Sequence, residues 1–375
     1  MASSSHKPEH SADSAPTSAV PKLHILVHTP KRLVLSYIID WVLIIGIGLI
    51  GYGFSRVTPN HRPFFLTDAS ISFPHKDKDT VTTSVLVVVS LVVPAVVIVL
   101  VAALLIPRPG TGLSRALLWR YKVWEWHVGW LGLGLSYAGA YMATEGLKDL
   151  YGKPRPDFLA RCAPGTSDVA SYGVSGLGTS FAGAITMVTW DICRNKSNEV
   201  RVDGFSSFPS GHSSLAFAGL AYLTLWLCSK FSVGFPNLTH PPDLQRQERG
   251  AIRTQGAAPP IYMLIAAFVP LAVAFFISAS RWFDFRHHGF DIIFGSVLGM
   301  VFAWVGFRMF QFPLMRGAGW SWGARSRRHA FFHAVGLPGH VAASTWGTSG
   351  DKCEVAENRT WGDIDIESGR QISPE

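Results

Sequence analysis

The most constraining feature of the sequence is the run VLVVVSLVVPAVVIVLVAALLI, from Val85 to Ile106, which contains no charged residue. A helix of this length can cross about 30 Å of hydrocarbon. Helices in the cores of soluble proteins keep a polar face toward water, and this run has none. The run therefore predicts a transmembrane helix.

Five other apolar blocks are close to the length of a span, so the sequence predicts six spans in total. They cover Leu33–Phe54, Val81–Ile106, Val128–Leu147, Leu215–Phe231, Ile261–Ile277 and Ile292–Phe307. The blocks contain two carboxylates, Asp40 and Glu145. The predicted fold class is all-α, a polytopic membrane protein with six transmembrane helices. A composition of 48% hydrophobic and 15% charged residues fits this class.

The polar segments divide the chain into three regions. Residues 1–31 and 313–375 are rich in Ser, Gly, Pro, His and charge without helical or strand periodicity, which predicts mostly disordered tails. Residues 32–312 are predicted to form the six-span domain, in which residues 147–212 carry a long polar loop. The first apolar block is expected to stay in the mature protein as a span and not to be cleaved as a signal peptide, because the polar segment that precedes it is unlike the start of a signal peptide.

The distribution of Lys and Arg predicts the orientation. The loops that share a side with both termini are the richer in these residues, so the positive-inside rule predicts cytoplasmic termini. Residues 56–80, 148–212 and 280–291 are then lumenal or extracellular, in a vacuolar, Golgi, endoplasmic reticulum or plasma membrane. The net charge of +8 is spread over loops, so the bilayer is an expected partner and nucleic acid is not. The sequence carries no signal for oligomeric state.

Two cysteines, Cys162 and Cys193, lie in the long outer loop. In an oxidising lumen they can form a disulfide that stabilises the fold by about 3 kcal/mol, or they can remain free thiols. The same loop contains the glycosylation sequon Asn195-Lys196-Ser197. Its long middle, between Asp157 and Arg201, is read either as a solvated insertion or as a lid that influences headgroup choice.

The first polar cluster on the outer side is KDLYGKPRP, at the end of the third span. Gly152 and the two prolines predict that the helix stops here and that the chain folds back. Lys148 and Arg155 then lie near one point and can bind a dianion. The alternative is a pair of interfacial cations that reach toward water.

The second cluster is SSFPSGHSSLAFAGL, at the start of the fourth span. Ser210 and Gly211 can simply cap a helix. They can also present unpaired N–H groups to a phosphate, because a helix N-terminus attracts anions. His212 lies beside them and can donate a proton.

The third cluster, SRWFDFRHHGFD, lies between the last two spans. Arg281 is expected to begin the loop. His287 and Asp291 are four residues apart, so one helical face is predicted to bring the carboxylate to the imidazole and orient it as a nucleophile or base. His288 is turned about 100° away and has Ile292 four residues later. The spacing therefore favours His287.

Together the clusters predict a site with three cations, helix N-terminal donors and two histidines. The outer side shows no metal-ligand spacing, so no metal or other cofactor is expected and Lys and Arg must neutralise a phosphate. This combination indicates metal-independent phosphoryl transfer through a phosphohistidine.

The three clusters resemble, in order and spacing, the signature of the type 2 phosphatidic acid phosphatase superfamily: K-x6-RP, PSGH and SR-x5-H-x3-D. The stretch RPFFLTDASISFP, from Arg62 to Pro74, and the D-x-R-H-H run from Asp284 to His288 are similar to the eukaryotic branch that contains lipid phosphate phosphatases and diacylglycerol pyrophosphate phosphatases. The resemblance covers about Leu33 to Phe312.

The resemblance implies a haloperoxidase-like helical core and a role for each matching residue. His287 is the implied nucleophile, Asp291 orients it, and His212 is the general acid. The implied phosphate-binding residues are Lys148, Arg155, Ser210, Gly211 and Arg281. The implied reaction is hydrolysis of phosphatidate, lysophosphatidate or diacylglycerol pyrophosphate without Mg²⁺.

Two other functions remain open from the sequence. A lipid phosphotransferase of the same fold would pass the phosphoryl-containing group to an alcohol instead of water. A catalytically inactive membrane scaffold would keep the fold alone, although the six intact signature residues argue against it.

Overall fold

A computed structural model of the chain describes residues 31–104, 115–165, 167, 169–174, 186–233, 259–314, 321–325 and 330–331. Most of both predicted tails and the middle of the long outer loop lie outside the described residues. Within them the predicted all-α class is confirmed. The long helices are α1 (Lys31–Phe54), α2 (Thr83–Leu104), α3 (Arg115–Tyr151), α6 (Gly211–Lys230), α7 (Ile261–Phe283) and α8 (Gly289–Phe310).

Four of the long helices, α1, α2, α7 and α8, are long and apolar enough to cross a membrane. The other two, α3 and α6, contain the predicted third and fourth spans. Almost all of α6 is buried, because α3, α7, α8 and the middle of α2 pack around it. A helix shielded in this way can carry serine and threonine on its surface, which lowers its hydropathy. The count of six spans remains a prediction.

Close packing of α8 on α6 brings the second and third clusters together. A Cβ atom on Gly299 would lie 2.3 Å from the Ser214 carbonyl oxygen, so only glycine permits this approach. At the same end of the helix pair, Ser210 N–H donates to the Asp291 carbonyl oxygen at 3.1 Å. The start of α6 and the start of α8 therefore meet at one end of the bundle.

A small outer layer lies beyond that end of the bundle. It contains strands β1 (Phe64–Phe65) and β2 (Met187–Val188), which pair antiparallel, and the short helices α4 (Phe158–Cys162) and α5 (Asn198–Arg201). Their apolar side chains form a separate core around Phe158 and Phe205. Within the described parts of the long loop, Phe158, Cys162, Val188 and Phe205 pack in this core with Phe64 and Ile71 of the first outer loop, whereas residues 194–199 are exposed.

A disulfide between Cys162 and Cys193 crosslinks this layer, which decides between the two states that the sequence left open. Both residues belong to the outer-layer core, and the bond closes a segment with a sequence separation of 31. Asn195 of the predicted sequon follows directly and donates its side-chain amide to the Arg161 carbonyl oxygen.

We expect the double change Cys162→Ser, Cys193→Ser to destabilise the fold by about 2–5 kcal/mol, because the unfolded chain loses its crosslink. Thermal unfolding in detergent under non-reducing conditions measures the effect. Cys228→Ser makes the same chemical change at a free thiol and serves as the control. An unchanged midpoint for the double variant would contradict the expectation.

A short part of the predicted C-terminal tail packs on the opposite end of the bundle. Ser321 donates through its N–H and its hydroxyl to Glu125, a buried carboxylate that also pairs with Lys230 at 2.6 Å. Arg325 pairs with Asp40 at 2.8 Å. Disorder was expected from residue 313, whereas these contacts hold Ser321–Arg325 against α1 and α3.

Candidate active site

The three clusters converge on one cavity of about 430 Å³ at the end of the bundle that carries the outer layer. Of the predicted site residues, the cavity is lined by Lys148, Arg155, Gly211, His212, Arg281 and His287. Ser55 and Thr83 line it as well, from the ends of α1 and α2. Five of the six long helices therefore contribute to one polar pocket at the end of an apolar bundle.

The first cluster turns back as predicted. Helix α3 ends at Tyr151, and Gly152 follows with a φ of +52°, a left-handed conformation that favours glycine. A Cβ atom at Gly152 would also lie 1.6 Å from the Asn60 carbonyl oxygen. The turn returns Arg155 to the cavity that Lys148 reaches from the last turn of α3.

Each of the three predicted phosphate-binding cations already has a carboxylate partner. The pairs are Lys148 with Glu145 at 2.7 Å, Arg155 with Asp203 at 2.6 Å, and Arg281 with Asp284 at 2.7 Å. Burial alone would raise the pKa of Asp203, but the charges of Arg155 and Arg161 lower it to about 2. The cationic heads are thus fixed in place, and such preorganised charges are effective in stabilising a transition state.

Arg281 does not begin a loop, as expected from the sequence, but lies in the last turn of α7. Its guanidinium is almost fully buried and donates to Asp284 and to the Val81 carbonyl oxygen, at 3.1 Å. The helix continues past the predicted apolar block to Phe283, where the Asp284 N–H donates to the Ser280 carbonyl oxygen at 3.0 Å and closes the last turn.

At the start of α6, the capping interpretation describes Ser210. It is the N-cap, fully buried, and its hydroxyl oxygen accepts from Ser213 N–H at 3.4 Å. Gly211 and His212 line the cavity instead. The Lys148 ammonium lies next to Gly211, where an added Cβ would be 3.1 Å from Nζ. His212 Nε2 lies 3.1 Å from the Val81 carbonyl oxygen.

His287 lies in the loop before α8 and is 3% exposed. Its Nδ1–H donates to the Ser207 carbonyl oxygen at 2.6 Å. A carbonyl oxygen can only accept, so this contact puts the proton on Nδ1 and leaves the lone pair on Nε2. Burial is the main cause that lowers the pKa of His287 well below its ordinary value, and the charges of Arg155 and Lys148 add to it. The imidazole is therefore neutral at neutral pH, with the lone pair on Nε2.

The predicted direct bond between Asp291 and His287 is wrong in this structure. Asp291 accepts from Ser207 Oγ at 2.6 Å and from Lys153 Nζ at 2.7 Å, and its other close partner is His288 Nδ1 at 3.1 Å. The reason is the helix boundary. Because α8 begins at Gly289, His288 is the N-cap and Asp291 reaches back to it in a capping box.

The spacing of four residues therefore does not describe one helical face, since His287 precedes the helix. Asp291 still influences His287 through Ser207, whose hydroxyl donates to the carboxylate and whose carbonyl holds the imidazole. Asp291 is fully buried and is connected to His287 through Ser207.

The described residues contain no group of three or more His, Cys, Asp and Glu side chains that could hold a metal ion. The polar lining of the cavity includes cations, carboxylates that pair with them, two histidines and hydroxyl groups such as those of Ser55 and Thr83. Such a set suits a phosphate, whose negative charge the cations can take up.

Comparison with known proteins agrees with this chemistry. The model of the PAP2 superfamily matches residues 129–314. A relative from Saccharomyces cerevisiae named diacylglycerol pyrophosphate phosphatase 1 is 33% identical over 266 residues, which are 70% of this chain and 76% of the relative. The chain belongs to the PAP2 superfamily. This confirms the family that the three motifs predicted.

Two other members extend the similarity along the chain. A probable diacylglycerol pyrophosphate phosphatase 1 from Schizosaccharomyces pombe is 31% identical over 279 residues, 73% of this chain and 81% of the relative. A probable lipid phosphate phosphatase 4 from Arabidopsis thaliana is 25% identical over 350 residues, 90% of this chain and 89% of the relative. No solved structure matches the chain significantly. With its apolar helices, this PAP2 member is an integral membrane protein.

Several residues of this PAP2 site were missed by the sequence reasoning. They are Asp79, Glu145, Lys153, Asp203 and Ser207. The available signal was the charge content of the outer loops: with the three motif cations at one point, nearby carboxylates in HKDKDT and VDGF are the natural counterions. Ser207 acts through its backbone carbonyl as well as its hydroxyl, so its role depends on the fold.

Proposed function

We propose that the protein dephosphorylates lipid phosphates at this cavity, for example phosphatidate to diacylglycerol, and also lysophosphatidate or diacylglycerol pyrophosphate. The observation that carries the proposal is the cavity itself, in which two histidines and three fixed cations meet at the end of apolar helices. A lipid phosphate keeps its chains in the bilayer and its headgroup at the surface, where this cavity lies. The names of the related proteins described above support the same substrate class.

In the first step, His287 Nε2 attacks phosphorus, and the bond between phosphorus and the alcohol oxygen breaks. Burial and the charges of Arg281, Lys148 and Arg155 lower the pKa of His212 to about 3, so His212 enters this step as an imidazolium only when a bound phosphate dianion offsets those charges. It then gives a proton to that oxygen, so the lipid leaves as a neutral alcohol. Lys148, Arg155 and Arg281, with the Gly211 N–H at the helix N-terminus, stabilise the equatorial oxygens. The neutral Nε2 of His287, held by Ser207, supports this assignment.

In the second step, water attacks the phosphohistidine. His212, now neutral, takes a proton from the water as the phosphorus–nitrogen bond breaks, which regenerates His287 and releases inorganic phosphate. The charge that develops on phosphorus is balanced by the same three cations, so we propose that the reaction needs no Mg²⁺.

We also propose that the active-site end faces the lumen or the cell exterior and that the termini are cytoplasmic. The disulfide supports this orientation, because it lies in the outer layer beside the cavity and such bonds persist on oxidising sides of membranes.

The test is phosphate release by the purified protein from a panel of phosphatidate, lysophosphatidate, diacylglycerol pyrophosphate and sphingoid phosphates in EDTA. We expect release from at least one lipid at the same rate with and without EDTA. Release that requires Mg²⁺ would overturn the proposed mechanism. Release that requires an added acceptor alcohol would indicate a phosphotransferase instead.

A further inference from the structure

The first outer loop carries a segment, Ser70–Val81, that crosses the active-site end of the bundle; we call it the strap. The sequence marked two features without assigning them a chemical role: this loop and the run Asp284–His288, DFRHH. In the structure the two features contact each other. Their contacts connect parts of the chain that are more than 200 residues apart.

Every residue of the DFRHH run except His287 contacts the strap. Asp284 accepts from Lys76 and Thr80, Phe285 stacks on Phe73 with ring centroids 5.1 Å apart, Arg286 pairs with Asp79 at 2.8 Å, and His288 Nε2 lies 3.2 Å from the Ser70 carbonyl oxygen. His287 turns the other way, toward Ser207 and the cavity. The strap thus holds both neighbours of the nucleophile.

Asp284 is the centre of this contact. Its buried carboxylate accepts from Thr80 N–H at 2.8 Å and from Thr80 Oγ1 at 2.7 Å, and it also pairs with Arg281. Burial alone would raise the pKa of Asp284, but the hydrogen bonds from Lys76 and Thr80 lower it. The ionised carboxylate therefore fixes Thr80, and with it the next residue, Val81.

The Val81 carbonyl oxygen contacts two predicted site residues. It lies 3.1 Å from His212 Nε2 and 3.1 Å from Arg281 Nη2. Since a carbonyl oxygen can only accept, the contact requires a hydrogen on Nε2 of His212. This hydrogen is held by the backbone, so in the proposed reaction His212 passes the hydrogen of its other ring nitrogen, Nδ1, to the leaving oxygen.

We propose that the strap is a positioning element for the general acid: Asp284 holds Thr80, and the adjoining Val81 carbonyl sets the ring of His212 and its Nε2–H. Thr80 and Asp284 are then positioning residues, which act on the reaction through His212. The inference rests on the proposed function, in which His212 protonates the leaving oxygen.

The test compares two substrates for each variant. An alkyl phosphate such as phosphatidate needs a proton on its leaving oxygen, whereas an aryl phosphate with a stable phenolate leaving group does not. We expect Thr80→Val to slow phosphoenzyme formation from phosphatidate by about 10-fold or more, since small misplacements of catalytic groups are costly. Formation from the aryl phosphate should change at least about 5-fold less, because it does not use the proton.

The aryl phosphate also reports folding, because a misfolded variant would lose both activities. Thr67→Val makes the same chemical change at an exposed residue of the same loop, and we expect wild-type rates for both substrates. Equal losses on both substrates in Thr80→Val would overturn the strap inference, and so would wild-type rates on both. His212→Ala separates this failure from a failure of the proposed function. If His212→Ala lost both activities equally, His212 would not be the general acid, and the proposed function would fail at that step.

Discussion

Replacing His287 by alanine is expected to lower phosphatidate turnover by a factor of at least about 10², because no other group can form the covalent intermediate. Phosphate release by the purified variant measures the loss. A second measurement follows the nucleophile directly: brief incubation with ³²P-labelled phosphatidate and quenching should label the wild-type protein and leave His287→Ala unlabelled. The label should be acid-labile, as phosphorus–nitrogen bonds are.

The matched control is His288→Asn. Asparagine is a good N-cap, so this change keeps an acceptor at the start of α8 while it removes the second imidazole. We expect His288→Asn to retain the ³²P label and to lose far less turnover than His287→Ala. A labelled His287→Ala protein, or an unlabelled His288→Asn protein, would reject His287 as the nucleophile.

Replacing His212 by alanine is also expected to lower phosphatidate turnover by at least about 10²-fold, but for a different reason. The variant keeps the nucleophile and loses the proton donor. Phosphoenzyme formation from an aryl phosphate should therefore stay close to the wild-type rate. The intermediate should accumulate, because His212 is no longer present to take a proton from the attacking water. Rapid quenching with a labelled aryl phosphate measures both steps.

His212→Gln provides a companion variant, since its amide can still donate a hydrogen bond to the Val81 carbonyl but does not titrate as imidazole does. It should show the same dependence on the leaving group as His212→Ala. If both variants lost phosphatidate and aryl phosphate activity equally, His212 would be a structural residue and the assignment of the general acid would fail.

The sequence was sufficient for the all-α class and for the convergence of the three motifs on one cavity. Apolar length predicted the long helices, and Gly152 with the following prolines predicted the turn that returns Arg155 toward Lys148. Alternation of the spans then placed all three motifs at one end, where the cavity lies. These inferences depend on local pattern and chain direction, which a sequence records well.

The connections inside the site were harder to predict. The spacing between His287 and Asp291 indicated one helical face, but the helix begins two residues after His287, and helix boundaries are the weakest part of a sequence prediction. Because His288 rather than His287 is the N-cap, the Asp291 carboxylate contacts His288, and the Ser207 carbonyl is the partner of His287. A backbone carbonyl carries no sequence signature, so neither Ser207 nor Val81 could be identified in advance.

The contacts of Asp284 with Lys76 and Thr80 join segments separated by 208 and 204 residues. Contacts so distant along the chain are made late, since the intervening helices must first be inserted and packed. A nascent chain that ends after α6 thus contains His212 but lacks Arg281, Asp284 and His287. Under the proposed function, we expect such a chain to release no phosphate until α7 and α8 have been made and pack against the bundle.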